Sequence, residues 1–231
     1  PGTPLEQPVT VLFVITGLGL GGAERMLLKL VSGLSDRFRP VVVSLEDTVG
    51  NIAGEFTRLG IPVHCLKMRG VASVPGGIVA LTRLIREIRP DVVNTWLYHA
   101  DLIGGLCARL AGCRAVSWNI RNGTLSPATS ARTTRAVLWL NARLSSLIPA
   151  EILCCSEDAR RIHVALGYDA GRIEVIPNGF DLAQFRPDPE AAAELRQALD
   201  IPPDAPLIGK IARFDPQKDH LTFVEAAALL H

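Results

Sequence analysis

Residues 9–34 read VTVLFVIT-GLGLGG-AERMLLKLVSGL, and this stretch decides the fold. Val9–Thr16 is nearly continuously apolar. A half-exposed strand alternates, whereas a strand of a parallel sheet covered on both faces reads as an apolar run of this kind. Gly17–Gly22 follows as a glycine-rich turn. Ala23–Leu34 then has the period of a helix, with Met26, Leu27, Leu30 and Leu34 on one face. Strand, tight turn and amphipathic helix form the opening of a βαβ unit.

The same grammar continues outward from this unit. Further strands are expected at Pro40–Leu45, Ile61–Leu66, Val92–Trp96, Ala115–Trp118, Ile152–Cys155 and Ile173–Ile176. Helices fit between them at about Asn51–Leu59, Gly76–Ile88, Ala100–Leu110, Arg132–Leu147 and Glu157–Leu166. Repeated strand–helix alternation predicts an α/β doubly wound parallel sheet of Rossmann-like type over residues 9–177, after a loose tail at 1–8. Pro177-Asn178-Gly179 is a turn signal, and Arg186–Pro189 (RPDP) continues neither a helix nor a central strand. Residues 178–205 read as a connector carrying a short helix at about Glu190–Leu199. A strand at Leu207–Ala212 and a helix from Asp219 then open a second Rossmann-like domain at 206–231. One βα unit does not bury its own faces. The chain therefore reads as a fragment with a truncated second domain, in which Phe223, Ala226, Ala227 and Leu230 lack a sheet to cover them.

Composition bounds the function. The chain has 231 residues, 48% hydrophobic and 20% charged, which suits a globular domain with a sizeable core. A net charge of +1 gives no bulk argument for nucleic acid. Five cysteines, with no C-x-x-C pair, read as reduced core thiols of a cytosolic protein rather than a metal or redox site. No apolar run approaches the ~20 residues that span a bilayer, and the N-terminus shows neither an initiator Met nor a signal-peptide pattern.

Gly17-Leu18-Gly19-Leu20-Gly21-Gly22 matches G-x-G-x-x-G between a strand and a helix, with the acidic Glu46 beyond the second strand. Taken alone, this is a dinucleotide fingerprint: glycines allow close backbone approach and free amides at a helix start favour an anion. The extra Gly21 makes the match partly a matter of glycine richness, and Glu24 and Arg25 open the helix where small residues would be expected. An NAD(P)-dependent nucleotide-sugar enzyme would also need a Tyr-x-x-x-Lys pair. Tyr98 and Tyr168 are followed at that spacing by Leu102 and Arg172. A non-catalytic binding module is the third alternative.

Four stretches carry a resemblance to a known family. Gly21-Gly22-Ala23-Glu24-Arg25, Asp91–Gly105 (DVVNTWLYHADLIGG), Val175–Pro187 (VIPNGFDLAQFRP) and Ile211–His220 (IARFDPQKDH) are similar to segments of the retaining GT-B glycosyltransferases of family 4. The resemblance implies two Rossmann-like domains flanking a cleft and transfer of a sugar from a nucleotide-diphosphate donor. It also implies a glycan or lipid-linked acceptor, with no cofactor and no metal; no D-x-D motif occurs in the chain. Arg213 and Lys218 match the pair that holds the donor diphosphate, and fixed cations stabilise a departing diphosphate without a metal. Gly21 and Gly22 would bring backbone amides to the donor phosphates or the acceptor. His99 corresponds to a cleft histidine beside the transferred sugar, although Asn94-Thr95-Trp96 replaces a frequent H-x-H, so that position aligns with either His99 or Trp96. Arg121 and Asn122 fall on the acceptor side. His163 and His220 read as helix-surface residues and His64 as a strand residue. The family's acidic donor-sugar motif falls beyond residue 231, so little or no transferase activity is expected of residues 1–231 alone.

Between Asp101 and Glu151 there are six arginines and no Asp, Glu or Lys. That segment is +6 in a chain of +1, leaving about −5 elsewhere by subtraction. Arg132, Arg135, Trp139 and Arg143 share one helical face, with Val137, Leu140, Leu144 and Leu147 expected on a core-facing stripe. A cationic face bearing a tryptophan suits an anionic membrane surface. It fits peripheral attachment at the inner face of the cell membrane.

Overall fold

A computed structural model describes residues 7–46, 51–121, 132–214 and 216–230. At its centre lies β1 (Val9–Ile15), flanked in parallel by β2 (Phe38–Ser44) and β4 (Val92–Trp96), so that Ile15 is level with Ser44 on one side and Trp96 on the other. The seven-stranded sheet runs β3-β2-β1-β4-β5-β6-β7, with β3 at Val63–Cys65, β5 at Val116–Ile120, β6 at Glu151–Cys154 and β7 at Ile173–Val175. Each neighbouring pair is parallel. The chain thus builds outward from β1 to one edge, then crosses back through α3 (Val74–Ile88) and builds outward to the other edge.

Helices cover both faces, as the apolar run of β1 requires. Leu12 and Val14 enter one cluster with Leu81 and Ile85 of α3, Cys107 of α4 (Tyr98–Leu110), Leu138 of α5 (Arg132–Leu144) and Ala159 of α6 (Glu157–Ala165). Val11, Phe13 and Ile15 enter the other with Leu27 and Val31 of α1 (Gly22–Ser32) and Ile52 and Phe56 of α2 (Asn51–Arg58). Full burial of one such side chain stabilises by about 1.5–3 kcal/mol, which makes the two faces of β1 the largest apolar contribution from any single strand. None of the five cysteines forms a disulfide among the described residues, and Cys107 and Cys154 are buried.

Two expectations are corrected. Of the expected core stripe of α5, Val137 and Leu144 pack against the core, but its buried centre is Leu138, Asn141 and Ala142, while Leu140 is 38% and Leu147 66% exposed. Hydrophobicity alone misplaced the stripe because a polar residue, Asn141, points inward: its side-chain amide donates to the Tyr98 carbonyl at 2.9 Å. Leu207–Ala212 forms no strand, since no described segment offers it a ladder partner and an unpaired strand leaves its backbone groups unsatisfied.

The chain divides into two compact units, Pro1–Gly179 and Phe180–His231. The second carries α7 (Pro189–Ala198), whose Ala191 amide donates to Asp188 Oδ1 at 3.0 Å, and α8 (His220–Ala228). Neither helix has a buried residue. Among the described residues no helix is long and apolar enough to cross a membrane.

Helix α4 sits unusually close to the sheet. A Cβ added at Gly104 would lie 2.9 Å from Thr95 Cγ2 and 3.2 Å from Val14 Cγ1, both fixed in the core. At Gly54, within α2, the same atom would meet nothing within 4 Å. Gly104→Val is therefore expected to destabilise by about 3 kcal/mol through overpacking, whereas Gly54→Ala stabilises by about 0.5–1 kcal/mol through helix propensity. Urea unfolding midpoints of the two variants check the contrast, and a neutral Gly104→Val would refute the close packing.

Candidate active site

In a doubly wound sheet the ligand crevice opens at the carboxyl ends of the strands, where the strand order reverses. Here the reversal lies between β1 and β4, so the chain just beyond Ile15 and Trp96 lines it. From β1 come Thr16–Gly21 and the first turn of α1. Gly21 is the N-cap, with extended backbone and no side-chain cap, so the first amides of α1 have no side-chain acceptor at that position. Glu24 folds back until its carboxylate lies over Gly21, and must swing aside before an anion reaches those amides. Arg25 points elsewhere, forming a 3.7 Å ion pair with Glu55 that ties α1 to α2. From β2 comes Glu46, whose carboxylate rests on Gly17; a Cβ there would be 3.1 Å from Glu46 Oε2.

β4 contributes Trp96, Leu97 and His99. Trp96 is fully buried, and its indole N–H donates to Asn94 Oδ1 at 2.5 Å. Leu97, the N-cap of α4, has φ 74° and ψ 152°, a region that side chains other than glycine's rarely adopt. Holding it there costs about 1–3 kcal/mol, and such strain persists only where surrounding contacts over-determine it. Those contacts are visible. The Leu97 amide donates to the Asn119 carbonyl at 3.3 Å, Asn141 holds the Tyr98 carbonyl, and Tyr98 Oη lies 2.9 Å from His163 Nε2. His99 follows on the first turn of α4, half-buried. Burial lowers its pKa below the ordinary histidine value and the nearby Glu46 charge opposes the shift, so the imidazole is neutral at neutral pH.

β5 contributes Arg121, whose guanidinium lies 4.5 Å from the Trp96 ring centre and donates through Nη1 to Asn178 Oδ1 at 2.6 Å. The structure thus brings Trp96 and Arg121 together, with Asn178 as a partner that sequence patterns alone do not reveal. Asn122 lies outside the described residues. In the second unit, Arg213 and Lys218 are exposed and neither pairs with a described acid. The Arg213 carbonyl lies 2.7 Å from His220 Nε2, and Lys210 Nζ donates to the carbonyls of Lys218 and Asp219, contacts made through the backbone of Arg213 and Lys218 and not through their cationic ends.

His163 is not a surface residue: it is fully buried between Tyr98 and Tyr168, with the Tyr168 ring edge-on at 5.1 Å. Its position on α6 places it one turn after buried Ala159, and a polar side chain on that stripe escapes a hydrophobicity pattern. Nδ1 lies 2.6 Å from the Ala159 carbonyl, which only accepts, so Nδ1 carries the proton and Nε2 accepts from Tyr98. Asp101 is also fully buried and accepts from Thr95 Oγ1 at 2.6 Å; burial raises its carboxyl well above the usual carboxylate range, against the opposing hydrogen bonds from Thr95 and Asn119.

The seven-stranded doubly wound parallel sheet, with Trp96 and half-buried Arg121 beside the carboxyl ends of its central strands, is of the Rossmann-like, GT-B type. The family model for "Glycosyltransferase Family 4" matches residues 20–184, and the chain belongs to that family. The chain is 27% identical over 169 residues to the UDP-Gal:alpha-D-GlcNAc-diphosphoundecaprenol alpha-1,3-galactosyltransferase of Escherichia coli, covering 72% of this chain and 43% of that protein. It is 25% identical over 229 residues to a D-inositol 3-phosphate glycosyltransferase of Xylanimonas cellulosilytica, covering 89% of this chain and 53% of that one. The crystal structure of Anabaena HepE in complex with UDP-glucose superposes with a TM-score of 0.78 at 21% identity, over 95% of this chain and 57% of that one. The chain thus spans about half the length of these relatives.

The neutral, buried His163 makes stability depend on pH. Burial lowers its pKa in the fold, outweighing the bond to Ala159, so below about pH 6.5 the unfolded chain binds the extra proton. Stability is then level above that pH and falls as pH drops through the window between the unfolded and folded values. His163→Gln is expected to lose about 1–3 kcal/mol at pH 7.5 and to show a shallower decline from pH 7 to pH 5. Equal slopes for both proteins in urea titrations would exclude His163 as the group responsible.

Proposed function

We propose that the protein transfers a sugar from a nucleoside-diphosphate sugar to an acceptor bound on the face of the first unit. The observation that carries this is the family match across residues 20–184, which includes Gly21 and Gly22 at the end of the glycine turn, His99 and Arg121. The names of the relatives support a nucleotide-sugar donor, and both acceptors they print are phosphorylated, one lipid-linked. On this basis the acceptor is a lipid-linked or cell-envelope glycan intermediate, and the reaction proceeds with retention of configuration, as in the family the sequence resembles.

The chemistry follows from charge. As the anomeric bond breaks, the diphosphate gathers negative charge. Arg213 and Lys218, exposed and unpaired with any described acid, supply fixed positive charge there and make a metal unnecessary. Within the first unit, the amides at Gly21 and Gly22 are candidate donors to an anionic group of donor or acceptor once Glu24 swings away. Neutral His99, at the helix start facing Glu46, has one nitrogen to donate and one to accept, which suits orientation of a sugar hydroxyl. The domain division at 178–205 and the donor role of 206–231 belong to this same reading.

Nucleoside diphosphate release by the gene's full-length product, across a panel of nucleotide sugars with and without EDTA, tests the assignment. Release from one donor class that survives EDTA is expected, with Arg213→Ala lowering kcat/KM by about 10²–10³. Absence of release from every donor, with tight NAD binding, would transfer the glycine turn to a dinucleotide.

The membrane half of the proposal rests on α5. Arg132, Arg135 and Arg143 are all exposed on one face with Trp139, 58% exposed, and Arg143 lies 5.1 Å from the Trp139 ring. Each basic residue near an anionic surface contributes about 1 kcal/mol. Arg132→Glu with Arg135→Glu, which reverses two such charges, is therefore expected to weaken co-sedimentation with phosphatidylglycerol vesicles at least thirtyfold. Equal binding by the double variant would remove the membrane role.

A further inference from the structure

Arg121 differs from the other arginines of the acid-free segment. Arg109 spends its guanidinium on the carbonyls of Leu147 and Ile148, at 3.0 and 2.9 Å. Arg132, Arg135 and Arg143 stand in solvent. Arg121 is half-buried beside Trp96, and that burial draws its pKa down. No described carboxylate pairs with it. The groups that act on it electrostatically are the thiols of Cys154 and Cys155, and the Cys154 thiol is itself pushed up to about 12 by burial. Partial burial of a cation without a described counter-ion carries a desolvation cost, which a bound anion would offset.

Its donors show where a counter-ion would sit. Nη1 is spent on Asn178, and the Trp96 ring covers one face. Nε is buried and has no acceptor. The edge turned away from Asn178 is the one formed by Nε and Nη2, for which no described residue supplies an acceptor: two parallel N–H groups spaced to take two oxygens of a single phosphoryl group. The sheet behind it is polar on the same side: Ser117 Oγ and Asn119 Oδ1 are buried without partners. Asn178 is a neutral amide, so it fixes the guanidinium without cancelling its charge.

We infer that Arg121 is the anchor for a phosphoryl group of the acceptor, gripped on its Nε–Nη2 edge while Trp96 and Asn178 hold the guanidinium in place. The inference rests on the first unit being the acceptor side of a glycosyltransferase, but the anion site itself can be tested without turnover. A phosphate monoester and a diphosphate share this chemistry, so both inorganic phosphate and inorganic pyrophosphate serve as probes.

The arginine Nε–H resonances of the 231-residue protein report on the site directly, with the Arg121 signal identified by its loss in Arg121→Lys. Titration with pyrophosphate is expected to shift that signal saturably. Asn178→Asp, isosteric with the native residue, supplies the missing counter-ion and is expected to weaken the interaction at least tenfold without disturbing the fold. Arg121→Gln abolishes it. Tighter binding of pyrophosphate than of phosphate points to a diphosphate-linked acceptor, and the reverse order to a monoester. An Arg121 signal unmoved by either anion, or an affinity unchanged in Asn178→Asp, overturns the inference. If the anion binds at Arg121 but the full-length protein releases no nucleotide from any donor, the phosphoryl site stands and the transferase assignment falls. If turnover is normal and acceptor KM is unchanged in Arg121→Gln, the phosphoryl anchor alone is refuted.

Discussion

Everything in the first unit depends on β1 being buried on both faces. Leu12 and Val14 face one cluster and Val11, Phe13 and Ile15 the other, so helices must pack on each side. With β2 on one flank and β4 on the other, the chain diverges at the carboxyl end of β1 and leaves a crevice there. Gly104 lets α4 approach Val14 and Thr95 closely enough that the helix start, rather than its side chains, forms one wall. The site is thus a consequence of packing, and altering the core at β1 or α4 would move the crevice as well as weaken the fold.

The same helix start is held by polar cross-links from two other helices. Asn141 of α5 binds the Tyr98 carbonyl and His163 of α6 accepts from the Tyr98 hydroxyl, while Asp101 is locked to Thr95 of β4. Each of these groups is buried, and each would be expensive if left unpaired. Together they resist relaxation of the strained Leu97, whose about 1–3 kcal/mol is small beside the cost of breaking the network. The physical outcome is a fixed backbone turn that delivers His99 to the crevice at a defined angle.

The sheet, its helices and most boundaries were legible because parallel strands buried on both faces and amphipathic helices write strong apolar periods. β4 occurs at the very residues expected, and most other elements shift by only one or two positions. The family was legible from four short stretches. Three things escaped. The α5 stripe was misread because Asn141 is polar yet inward-facing, and His163 was put on the surface because a buried, doubly bonded imidazole looks in sequence like any helix histidine. The Arg121–Asn178 contact joins residues 57 apart and has no periodic signature. Leu207–Ala212 shows the converse limit: an apolar run states a tendency, while a strand also requires a neighbour.

The distribution of arginines carries the remaining step. Six of them occur without a single acid between residues 101 and 151, yet they are not one electrostatic patch. Arg109 closes the chain after α5 through its carbonyls, Arg114 stands exposed ahead of β5, three stand in water on the α5 face, and Arg121 is half-buried against a tryptophan at the crevice. Solvent screens the exposed three, which act together and weakly on an extended anionic surface. The half-buried one is screened less and would act singly, on a ligand that enters the crevice. A phosphorylated acceptor held at a membrane would meet both regimes in turn. The exposed face would concentrate it near the protein by long-range attraction, and Arg121 would then fix one phosphoryl group by short, directional bonds. Removing acids from this segment serves both steps, because any carboxylate near either group would satisfy the charge before the acceptor arrived.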